Sequence, residues 1–118
     1  MQKVALNAVT STTTSAAINV ENLRDISIEF LSASILSGNG VFTIDVSNNG
    51  TDWETAIAFI NPLSTTPATR ITGQTLSTNT VVHGYLGKDF GAKMIRVICT
   101  VTTDGSYTAI VVANKITI

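Results

Sequence analysis

MIRVICTVTTDGSYTAIVVAN, residues 94 to 114, alternates apolar and polar side chains on both sides of a turn. A strand carries successive side chains to opposite faces, so Ile95, Val97, Cys99 and Val101 share one face while Met94, Arg96, Ile98 and Thr100 share the other. Asp104-Gly105-Ser106 supplies turn chemistry before Tyr107 to Ala113. The pattern predicts two strands joined as a hairpin.

A second segment, VFTIDVSNNGTDWETAIAF at residues 41 to 59, repeats the theme. Phe42, Ile44 and Val46 point one way, Asn48-Asn49-Gly50 turns the chain, and Trp53 to Phe59 is expected to fold back as the next strand. Upstream, Ile26, Ile28 and Phe30 share a face, after which the apolar phase passes to Leu31, Ala33 and Ile35, as a β-bulge or a crossing between sheets would produce. Ser37-Gly38-Asn39-Gly40 then reads as a further hairpin turn into Val41. Residues 61 to 80 hold Pro62, Pro67 and Gly73 among Thr and Ser, a long connection with one short strand near Arg70 to Thr72. Val81 to Leu86 reads as another strand, broken at residues 87 to 91, and Lys115 to Ile118 as a terminal extended segment.

Short strands separated by turn signals, with no amphipathic stretch of period 3.6, predict an all-β fold with minimal helix: an antiparallel β-sandwich or jelly roll. At 118 residues the chain is expected to form one domain over residues 1-118, with the Thr- and Ser-rich residues 1-15 as an N-terminal arm.

Apolar residues make up 44% of the chain and charged residues 13%, about half the usual share, so Thr, Ser and Asn must keep the surface wet. The net charge of −1 and singly scattered Lys and Arg give no footprint for nucleic acid. A weakly charged surface offers little repulsion between copies, which favours a homo-oligomer. No segment is long and apolar enough to span a membrane as a helix, and the N-terminus lacks the apolar run of a signal peptide.

Reactive constellations are not assembled in the sequence, so no catalytic, cofactor-binding or metal residue is assigned and no enzyme activity is expected. Cys99 and the single histidine, His83, have no patterned relationship, and Cys99 is in phase with a core face. One Cys and one His cannot supply a zinc site. Asn48, Asn49, Asp52 and Glu54 bear oxygens but lack the spacing of a calcium loop, and Asp45, Asp52, Glu54 and Asp104 read as turn and solvated-face acids rather than a glycosidase pair. Gly38 and Gly40 precede a strand, not the helix that a phosphate loop requires. Asn49-Gly50-Thr51 matches a glycosylation triplet but reads as a turn. Trp53, Tyr85 and Tyr107 form a candidate platform for stacking sugar rings, against the simpler reading of Trp53 as a cap on the core.

The Ser-Asn-x-Gly-Thr-x-Trp turn within residues 41 to 59, together with residues 94 to 114, resembles elements of small β-sandwich virion proteins of tailed bacteriophages. These include capsid decoration (cement) proteins and head-fibre or tail components. A similar turn occurs in discoidin-like carbohydrate- or lipid-binding domains, which are usually longer. The resemblance implies a non-enzymatic virion structural protein on the capsid exterior, made in the host cytoplasm. Its partner would be the major capsid protein or other virion proteins, and a trimer would match a local threefold site on a shell. The N-terminal arm and residues 61 to 80 would then touch the shell or a neighbouring subunit. The alternative is a tail or fibre module that recognises carbohydrate through Trp53 or the two tyrosines.

Overall fold

Among the described residues the chain forms eleven strands, the longer ones following period-two alternation: β1 (Gln2–Val9), β2 (Thr13–Thr14), β3 (Ile18–Asn19), β4 (Leu23–Ala33), β5 (Asn39–Ser47), β6 (Phe59–Ile60), β7 (Arg70–Ile71), β8 (Gln74–Leu76), β9 (Val81–Gly87), β10 (Met94–Thr102) and β11 (Ser106–Lys115). The computed structural model describes residues 1 to 60, 70 to 87 and 91 to 115. Two antiparallel sheets pack face to face as a β-sandwich, and no helix occurs among the described residues. One sheet runs β1-β11-β4-β9-β6-β7; the other runs β2-β10-β5-β8, with β3 also paired to β10.

The expected inward faces meet between the sheets. Phe42, Ile44, Ile95, Val97 and Cys99 are fully buried, and Val46 and Val101 are half-buried against them. Phe30 from the first sheet lies 4.7 Å from Phe42 of the second, centroid to centroid, and 5.8 Å from Phe59. Tyr107 meets Phe42 edge to face at 6.2 Å. Each such ring removed from water stabilises the fold by roughly 1.5–3 kcal/mol, so this cross-sheet cluster is a principal tie between the two layers.

Two of the three expected hairpins are not hairpins. β10 pairs with β5 along its whole length, from Met94↔Ser47 to Thr102↔Asn39, whereas β11 pairs with β4 and β1 in the other sheet. The Thr103 to Gly105 turn therefore carries the chain from one sheet to the other, an arch rather than a hairpin. The segment between β4 and β5 is a second arch of the same kind. Local turn chemistry is shared by both geometries; the difference lies in which long-range partner each strand finds. The third expected hairpin exists in abbreviated form: Val46 and Glu54 exchange both backbone hydrogen bonds, and Ile57 N–H donates to Ile44 O. Beyond it the chain leaves for the first sheet at β6, so Trp53 to Phe59 is not one strand.

The phase change after Phe30 is also absent. β4 continues without a bulge there, and Ser32 takes the inward position while Leu31 faces outward. A buried serine is tolerated because its hydroxyl donates to Thr78 O at 2.6 Å and accepts the Thr80 N–H. Residues 1-15 do not stand off as an arm. β1 pairs with β11, Leu6 is 3% exposed in the core, and β2 pairs with β10 in the opposite sheet. The expected strand near Arg70 is present, joined by β8, while residues 61 to 69, 88 to 90 and 116 to 118 of the expected connections and terminal segment lie outside the described residues.

The sheet edges are blunted. β1 carries two register shifts with Ala8 at φ 49°, and β2, β3, β7 and β8 span only two or three residues each. Bulged or short edges resist strand-to-strand addition.

Candidate functional site

The two arches meet at one end of the sandwich, where Asp104 joins them. Its carboxylate accepts the backbone N–H of Leu36 at 3.1 Å, of Ser37 at 3.2 Å and of Gly38 at 2.9 Å, and the Ser37 hydroxyl at 3.4 Å. The Gly38 bond, with those of Leu36 and Ser37, holds the Asp104 carboxyl below its ordinary value of 3.8 despite some desolvation. The turn itself depends on Gly105, whose φ of 112° belongs to glycine and whose missing side chain leaves room for the Tyr107 hydroxyl. That hydroxyl donates to Asp104 O at 2.8 Å. Gly40 makes room for the Tyr107 ring in the same way: a Cβ there would lie 2.5 Å from its edge.

Beside the arches, on the outer face of the first sheet, lies a groove of about 490 Å³. Ala8 and Thr108 form one side, Asn79 and Val81 the other, with Leu31 and Ala33 between them. The Asn79 side chain also accepts the Ile35 N–H at 3.0 Å, so groove wall and arch are one construction. Leu36, at the arch tip, is 92% exposed.

On the outer face of the second sheet, Asp45 and Arg96 are directly opposed in register. Arg96 Nε donates to Asp45 at 2.9 Å, and the other carboxylate oxygen accepts the Ala56 N–H at 3.0 Å. The guanidinium sits 4.2 Å from the centroid of the Trp53 ring. Asp45 is thereby 1% exposed although it is on the outward side of its strand, because residues 53 to 57 fold over it.

The sugar-platform residues are not brought together. Tyr107 is in the core, Tyr85 is on the outer face of the first sheet, where its hydroxyl donates to Asp25 at 3.3 Å, and Trp53 is on the second sheet with Arg96 over one ring face. Cys99 and His83 belong to different sheets. Burial pushes the Cys99 thiol up to about 11, while His83 lies outward, 3.5 Å from Glu29. Asn49, Asp52 and Ser47 knit the predicted turn: Asn49 Oδ1 accepts the N–H groups of Thr51 and Asp52, each at 2.8 Å, and Ser47 Oγ accepts that of Gly50 at 2.9 Å. These oxygens are occupied by turn hydrogen bonds, and no cluster of three or more His, Cys, Asp or Glu suited to a metal exists among the described residues. Sequence reasoning missed the Asp104 clamp and the Asp45–Arg96–Trp53 stack, since an Asp before Gly reads as a turn and an Asp in a strand as a solvated face.

No family model and no curated protein matches the chain. Among solved structures it is similar to the crystal structure of the SPBc2 prophage-derived protein YomS, with a TM-score of 0.67 and 16% identity, over 94% of this chain and 90% of that one. At that identity the likeness is one of fold, and it takes in most of both chains.

Proposed function

We propose that this chain is a non-enzymatic bacteriophage virion structural protein, a decoration protein that seats on the capsid exterior and reinforces contacts between major capsid proteins. The observation that carries the reading is the fold likeness, over most of both chains, to a prophage-derived protein. The turn and strand resemblances at residues 41 to 59 and 94 to 114 point to the same class of protein. The architecture suits the role: cross-sheet arches tied by side chains make a stiff body, and blunted edges let many copies crowd together without uncontrolled strand addition. Many identical weak contacts on a symmetric shell add up to durable attachment.

The test is cosedimentation of the full chain with purified empty capsids of the phage that encodes it, with immunodetection in purified virions. Saturable binding that raises the temperature of capsid disruption supports the reading; absence from virions and from sedimented capsids overturns it. A second reading, a tail or fibre module for carbohydrate, draws on the partly exposed Trp53 ring. Saccharide binding on a glycan array that is lost in Trp53→Ala would favour it.

A further inference from the structure

Leu36 is the most exposed of the large apolar side chains among the described residues. A leucine on a loose loop is ordinary surface, but this one is held. The backbone N–H groups of four consecutive residues are fixed: Ile35 by the Asn79 side chain, and Leu36, Ser37 and Gly38 by the Asp104 carboxylate. A side chain presented on a backbone already ordered loses little further entropy on binding, which is the character of an interface anchor.

The adjoining groove is complementary to such an anchor. Its lining from Ala8, Leu31, Ala33 and Val81 is apolar, its polar members are Ser, Thr and Asn, and no ionisable side chain lines it. Val81, on its rim, is itself 50% exposed. A charged partner would gain nothing there, whereas an aliphatic side chain would exchange water for apolar contact.

We propose that Leu36 anchors a contact between copies of this chain, entering the groove between Ala8, Leu31 and Val81 of a second copy. Projection and recess are carried by the same chain at the same end, and the near-neutral surface sets up little repulsion between copies. Bulged or short edges among the described residues disfavour sheet extension between copies, which the projection-in-groove contact does not require. The contact closes either as a two-fold pair, with both leucines exchanged, or head to tail as a ring. It stands independently of any binding to a capsid.

Sedimentation velocity of the full chain at about 1 µM and about 100 µM tests it, a span that brackets association free energies of about 5.5 to 8 kcal/mol. The expected result is a concentration-dependent oligomer that Leu36→Glu and Val81→Glu each weaken at least about tenfold, the loss of one well-buried aliphatic side chain being enough for that factor. Both positions are half or more exposed, so thermal melts should match those of the parent chain. Leu36→Met should keep the oligomer. A monomer at both concentrations, or an oligomer indifferent to Leu36→Glu, overturns the proposal. Sensitivity to Leu36→Glu without sensitivity to Val81→Glu overturns the groove as its seat.

Discussion

The carboxylate of Asp104 accepts the N–H of Gly38 at 2.9 Å across a separation of 66 residues, and so fastens the β4–β5 arch to the β10–β11 arch. Neither arch is closed by strand pairing of its own, so this side chain takes the place that ladder hydrogen bonds hold in a hairpin. Removing it by Asp104→Ala should lower Tm at neutral pH, and Asp104→Asn, which keeps an acceptor oxygen, should lower it less.

The same clamp sets a pH dependence. Its folded value lies below the ordinary 3.8, so the folded state favours the ionised carboxylate. That contribution is complete above the unfolded value and is lost as pH falls from there through the lower folded value. The Tm difference between the parent chain and Asp104→Asn should therefore be constant near neutrality and shrink below 3.8, as read by thermal melts across the acid range.

Arg96→Ala should destabilise the fold by roughly 2–4 kcal/mol, because it leaves the Asp45 carboxylate covered but without its cation. Part of the arginine is exposed, which places the effect toward the lower end of what buried pairs show. Chemical denaturation of Arg96→Ala, Asp45→Ala and the double variant should give a double loss smaller than the sum of the singles, since the two side chains share one interaction.

Gly40→Ala should cost about 1–3 kcal/mol by overpacking, the new Cβ pressing on the Tyr107 ring that Phe42 backs at 6.2 Å. A partial rescue by Tyr107→Leu in the same background, measured by urea denaturation, would trace the cost to that ring.

Cys99 should be unreactive toward thiol reagents at about pH 8 in the folded chain, because burial both shields it and keeps it protonated. Labelling should become complete in denaturant, and its rate under native conditions should follow global opening.

Period two made β5, β10 and β11 legible almost to the residue, since one inward and one outward face leave an unambiguous mark. Which strands pair was not legible, because Asp104-Gly105-Ser106 and Ser37 to Gly40 serve hairpins and arches equally. Leu31 was expected inward and Ser32 outward; hydrogen bonds to the Thr78 and Thr80 backbone reverse that preference. Tyr107, expected as part of a sugar-stacking platform, lies instead in the core, where Gly40 vacates the place its ring takes. At the candidate site, the groove joins Ala8 to Val81 and Thr108, residues that only the sheet order brings together. Leu36 carried no signal in a stretch of turn residues.

Cross-strand nuclear Overhauser contacts test the arch architecture most directly. The backbone of Cys99 should show contacts to Phe42 and that of Ala109 to Phe30, the pairs that set β10 and β11 in separate sheets. Backbone contacts running instead between Thr100 and Thr108, or between Ile98 and Ile110, would pair β10 with β11 as a hairpin and contradict the account.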